Sequence, residues 1–162
     1  MDIYDYAMKL EKDGEEYYRE LAGRVVHGGL KTILTMLADA EVKHYVIFRK
    51  MKGNEAVDAF TDAALLSKVK NIFEKMRESD DVIAADGSEI DVYKRAQDIE
   101  KKTQDFYLEK AAEVAEQSQK DIFLRIADEE KRHYFILENI INFVARPFNW
   151  LENAEWYHLE EY

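Results

Sequence analysis

A chain of 162 residues, 47% hydrophobic and 35% charged, is long enough to bury a full core and excludes an intrinsically disordered protein. A net charge of −11 argues against nucleic acid and anionic membrane surfaces as partners. Cysteine is absent, which excludes disulfides, thiol catalysis and any cysteine-held iron centre on this chain.

One proline and six glycines leave long helices uninterrupted, and helical periodicity runs through the chain. The first helix is predicted over 2–27, with Ala7, Leu10, Glu11, Gly14, Tyr18, Leu21, Ala22 and Val25 spaced by three and four. Gly28-Gly29 reads as its end, and His27 as a C-terminal residue placed where positive charge is favoured. The second helix, 30–52, carries Leu30, Ile33, Leu34, Leu37, Glu41, His44, Phe48 and Met51, closed by Gly53-Asn54. Glu41 and His44 stand where this stripe calls for apolar residues. The long connection that follows holds a short helix at 62–78 and a loop rich in Asp, Ser and Gly. Ser88 reads as the cap of a third long helix, 89–117, with Tyr93, Ala96, Glu100, Thr103, Tyr107, Ala111 and Val114 on one stripe. Ser118 with Asp121 reads as the cap of the fourth, 119–145, with Ile122, Phe123, Ile126, Glu130, His133, Leu137, Ile140, Ile141 and Val144. Pro147 stops it, and the tail 147–162, with both tryptophans and His158, is expected to pack back on the helices. No apolar run has the length of a membrane span or the form of a signal peptide, so a cytoplasmic protein is expected.

The expected fold is all-α: an antiparallel four-helix bundle over 1–146, built of two helical hairpins joined by a long crossover that contains the short helix. The hairpins are copies of one another. Glu11, Tyr18, Glu41 and His44 return as Glu100, Tyr107, Glu130 and His133, each displaced by 89 positions without a gap. Residues 7–45 and 96–134 share 14 identities in 39 positions, as expected for a duplicated hairpin.

The repeated residues point to metal chemistry. Residues three apart on a helix share a face, so Glu41 with His44, and Glu130 with His133, can reach one ion together. Glu11 and Glu100 come from the partner helices. Four carboxylates carry a charge of −4 beside neutral imidazoles, which two divalent ions would balance. Without such ions, ionised carboxylates in a core cost several kcal/mol each. Mixed oxygen and imidazole donors favour iron or manganese, with zinc an alternative. Tyr18 and Tyr107 lie two turns after Glu11 and Glu100, where their hydroxyls can hydrogen-bond a ligand carboxylate or pack as core rings with a polar tip. Asp39 and Asp128 are weaker candidates for orienting an imidazole, and read more simply as surface residues.

The segments AMKLEKDGEEYYRELA, LADAEVKHY, AQDIEKKTQDFYLEKA and IADEEKRHY resemble the rubrerythrin (erythrin) branch of the ferritin-like di-iron carboxylate proteins. The resemblance implies that Glu11, Glu41, His44, Glu100, Glu130 and His133 hold two iron ions, with Glu41 and Glu130 bridging. Rubrerythrins usually carry a rubredoxin with four cysteines that delivers electrons, and this chain has no cysteine. They also have an extra ligand glutamate one turn after the third-helix glutamate, a place held here by Thr103, with Gly14 at the matching point of the first repeat. The expected function is reduction of peroxide or oxygen at a di-iron centre supplied with electrons by a separate donor protein, in a chain able to form a homodimer. An iron-handling, ferroxidase-like protein and a non-catalytic bundle stabilised by its metals are the alternatives.

Overall fold

The computed structural model describes residues 1–57, 63–78 and 87–145. Among them the regular structure is entirely helical: α1 (Ile3–Arg24), α2 (Gly28–Lys52), α3 (Ala63–Glu78), α4 (Gly87–Glu113) and α5 (Gln117–Ala145). The chain divides into two units, Met1–Asp62 and Ala63–Tyr162, and each contains one helical hairpin. The all-α fold of hairpins expected from the periodicity is met. The loop at 79–86 and the tail at 147–162, including His158, lie outside the described residues.

In the first unit Asp2 opens α1, its carboxylate accepting from the Asp5 amide at 2.8 Å. The helix ends at Arg24, earlier than the glycine pair suggested, because Val25 turns to extended backbone with ψ 139°. Two adjacent β-branched residues favour that conformation, and Val26 stands almost wholly exposed in the turn. His27 therefore does not close α1. It caps the N-terminus of α2, Nδ1 accepting from the Gly29 amide at 3.1 Å and, more weakly, from that of Leu30 at 3.4 Å. Gly28 and Gly29 start the second helix; they do not end the first. At the far end Gly53 caps α2 and Asn54 takes the left-handed conformation, φ 55°.

The three-residue turn makes α1 and α2 antiparallel neighbours. Their apolar stripes bury Ala7 and Leu21 from α1, and Leu30, Ile33, Leu34, Leu37 and Phe48 from α2. Each fully buried leucine or isoleucine stabilises by about 1.5–3 kcal/mol, so this stripe outweighs the surface ion pairs, worth about 0–1 kcal/mol each. Those pairs set alignment instead. Arg19 reaches from Glu15, at 2.7 Å, across to Asp39 on α2, at 3.0 Å. Lys52 at the end of α2 pairs with Asp5 at the start of α1, and its hydrogen bond holds the Asp5 carboxyl below its usual pKa.

In the second unit α3 buries Leu65, Val69, Phe73 and Met76, spaced by four, four and three. The Phe73 ring lies 6.2 Å from that of Phe143, which docks the short helix on α5. The α4–α5 hairpin turns through three residues, 114–116, and α5 begins at Gln117, so Ser118 lies inside the helix rather than at its cap. The first turn is closed by the Lys120 amide donating to the Glu116 carbonyl at 3.0 Å, with Gln117 Nε2 on Asp121 at 2.7 Å. Ser88 likewise falls within α4, which starts at Gly87. Gln97 ties the two helices together, donating to Glu138 at 2.7 Å and to the Tyr134 carbonyl at 3.3 Å.

Tyr93, 3% exposed on α4, gives this unit an alkaline limit. Burial, helped by the charge of Glu89 one turn earlier, pushes its phenol up to about 12 from 10.0. The neutral phenol is the form the fold accepts. The contribution is intact below pH 10 and is lost as pH rises from 10 toward 12, at about 1.4 kcal/mol per unit, to a total of roughly 2–3 kcal/mol. Replacing Tyr93 with Phe is expected to flatten that part of the stability–pH curve, read by denaturant unfolding at pH 9, 10 and 11. An unchanged slope would assign the alkaline loss to other groups.

Candidate metal centre

Each hairpin buries its own set of two carboxylates and one imidazole. In the first, Glu11 is 0%, Glu41 3% and His44 1% exposed. Glu11 comes from α1, while Glu41 and His44 share one face of α2. In the second, Glu100 is 2%, Glu130 1% and His133 0% exposed, with Glu100 from α4 and the other two from α5. The sequence repeat is thus a repeat of buried side chains and not of a solvated face.

Within each hairpin the three side chains converge. One potential ligand atom from each of Glu11, Glu41 and His44 lies within 4.8 Å of the others, and the same holds for Glu100, Glu130 and His133. His44 Nδ1 is 3.4 Å from Glu11 Oε2, and His133 Nδ1 is 3.5 Å from Glu100 Oε1. These distances are long for a hydrogen bond, which prefers about 2.7–3.2 Å. They suit two ligands of one ion: donors about 2.1 Å from a shared metal, at angles between octahedral and tetrahedral, stand about 3.0–3.4 Å apart. The donor chemistry and its spacing therefore fit a metal ion in each triad, and a hard or borderline cation such as iron, manganese or zinc matches oxygen and imidazole together.

The hairpin backbone is shaped to the same end. Gly14 lies one turn after Glu11, and a Cβ built there would stand 3.0 Å from Glu41 Oε2 and 3.4 Å from its carboxyl carbon. Glycine inside a helix costs about 0.5–1 kcal/mol relative to alanine, so its presence in the middle of a 22-residue helix marks a place where the backbone must be approached closely. The signal was visible as a glycine inside an otherwise apolar stripe, but only the fold shows that Glu41 is what approaches it.

Tyr18 and Tyr107 sit in the buried stripes two turns after Glu11 and Glu100, at 2% and 0% exposure. The Tyr107 ring packs 5.6 Å from Phe106 and 6.1 Å from Phe123, and the Tyr18 ring 6.4 Å from Tyr17. Asp39 and Asp128 pair with Arg19 at 3.0 Å and Arg132 at 3.1 Å on the protein surface, in keeping with their simpler reading as surface residues. One buried carboxylate escaped the sequence reading. Glu129, 5% exposed, precedes Glu130 on α5, three residues after Ile126 and four before His133, so it lies within the same three-and-four spacing beside the stripe position taken by Glu130.

Among the described residues no helix is long and apolar enough to cross a membrane. A family model described as Rubrerythrin matches residues 2–141, and all six candidate ligands fall inside that span. No curated protein and no solved structure matches the chain.

Proposed function

Because the chain belongs to the rubrerythrin family, we propose that its two buried triads hold two iron ions with which it reduces peroxide or oxygen, using electrons from a separate donor protein. The observation that carries this reading is the doubled triad itself: two carboxylates and an imidazole, buried and convergent, in each of two hairpins. Glu11, Glu41 and His44 in the first hairpin, and Glu100, Glu130 and His133 in the second, would hold the ions. Four carboxylates then balance two divalent ions, which removes the charge cost that burial would otherwise impose.

When bound, ferrous ions would supply the two electrons that, with two protons, convert one peroxide to two waters, and electrons from the donor protein would restore them. The protein's own part is to orient and to exclude water. The apolar stripes around each triad keep bulk solvent from the ligands. Tyr18 and Tyr107 are assigned as hydrogen-bond donors to ligand carboxylates, fixing their orientation and supplying a proton near the reacting oxygen.

A second reading is favoured by Gly14 and Thr103. Neither offers the additional carboxylate that suits a rubrerythrin site to peroxide, and a plain symmetric ligand set also suits oxidation of iron for handling or storage. One experiment separates the two. Chain loaded anaerobically with two equivalents of Fe(II) and mixed with peroxide is expected to show ferric absorbance with one peroxide consumed per two ferrous ions, returning to the ferrous state on chemical reduction. No oxidation at all overturns the redox assignment. Continued uptake and oxidation well beyond two iron per chain favours iron handling.

A further inference from the structure

The two triads are alike in their ligands but not in their surroundings, and one difference lies one turn after Glu11 and Glu100, at Gly14 and Thr103. Glu41 Oε2 lies where it would be 3.0 Å from a Cβ on Gly14, closer than nearly all contacts a real Cβ makes, with Glu41 Cγ at 3.6 Å. The carboxylate is therefore laid directly on the backbone of α1, beside Glu11 from the same helix and His44 from its own. In the second hairpin the matching position is Thr103, 6% exposed, with a Cβ, a methyl group and a hydroxyl of its own.

We propose that Gly14 is a positioning residue for the metal centre: its missing side chain is the seat of the Glu41 carboxylate, and a side chain there would displace Glu41 from a metal ion held in register with Glu11 and His44. The inference rests on Glu41 being a ligand, as proposed above. It extends the site to a residue that touches no metal and has no donor atom.

The seat has a consequence of opposite sign in the two states of the protein. Without metal, Glu41 Oε2 is the far end of a flexible side chain, and the carboxylate can shift by a few tenths of an ångström. Alanine at 14 then simply replaces a poor helix former by a good one. With metal bound, the carboxylate is pinned and cannot give way, so the added methyl group pushes on a ligand. Gly23, also in α1, supplies the control. A Cβ there meets nothing within 4 Å, so alanine at 23 should act on the helix alone in both states.

The test uses cobalt(II), whose visible absorption reports coordination without redox chemistry. Titrated against a competing chelator, G14A is expected to bind Co(II) at least tenfold more weakly than wild type, and G23A to bind it equally well. The metal-free melting midpoints of both variants should rise together, by about 2 °C. Removing the carboxylate should remove the effect: in an E41A background, G14A should cause no further loss of Co(II) affinity. G14A binding Co(II) like wild type overturns the proposal. So does a G14A chain that fails to fold without metal, because the seat would then be needed for packing. A loss that persists in the E41A background overturns it as well, because Gly14 would be acting on something other than Glu41. If E41A alone, with Gly14 intact, binds Co(II) as wild type does, the metal assignment of Glu41 fails first and is identified as the failure.

Discussion

Removing the metal from loaded protein is expected to lower its melting midpoint by roughly 15 °C or more. A ligand present at a thousand times its dissociation constant stabilises the folded state by about 4 kcal/mol per site, so two ions contribute about 8 kcal/mol. For a chain of this size each kcal/mol moves the midpoint by about 2–4 °C. The structure gives a reason for such affinity, because Glu11 and Glu41 in one hairpin, and Glu100 and Glu130 in the other, are buried carboxylates with ligand atoms within 4.8 Å of each other. Without a cation each pair is a repulsive contact in a medium of low dielectric. Calorimetric melts of iron- or manganese-loaded chain, before and after exhaustive chelation, read the effect directly. A shift below about 3 °C would mean that the triads do not hold ions with useful affinity.

The second large effect belongs to Glu130. Replacing it with alanine is expected to destabilise the metal-loaded chain by about 4 kcal/mol or more, since at least one ion loses a ligand and its linkage energy with it. Elemental analysis should show the metal ratio falling below two per chain. The metal-free chain should lose much less. Truncating a side chain that is 1% exposed leaves a cavity, but it also takes one negative charge from beside Glu100, and the two terms oppose. Denaturant unfolding of both forms gives the comparison. Equal losses with and without metal would make Glu130 a packing residue and sink its assignment as a ligand.

Much of this site could be read before any coordinates. Glu41, His44, Glu130 and His133 interrupt apolar stripes at stripe positions, and buried charge needs a counter-charge whatever the fold. The 89-residue offset made the coincidence of two such sets far less credible than a duplicated hairpin. Helix interiors were legible for the same reason, since spacing by three and four is set by the helix itself. Helix ends were less so. His27 and the glycine pair read as the end of α1 because glycine commonly ends helices, whereas the chain leaves the helix at Val25 and uses the imidazole as an acceptor for α2. On residue type alone Ser118 reads as a cap, although α5 starts one residue earlier at Gln117. Caps depend on a few local hydrogen bonds that several residues can satisfy, so the periodic signal does not choose among them. The seat at Gly14 was illegible in another way. A glycine states that something comes close, but which side chain comes close is a property of the neighbouring helix.

Each hairpin carries a whole half-set of ligands, and this has a consequence for how such a protein can change over generations. Two separate copies of one hairpin, joined only by association, would share a single gene, and any substitution would appear on both sides of their centre at once. With both copies in one chain, that coupling is gone. The first half can keep glycine at 14 while the second takes threonine at 103, and neither change commits the other. An inherited symmetry of ligands thus becomes a licence for unequal halves, and the place to look for a division of labour between them is the handful of buried positions where the copies no longer agree.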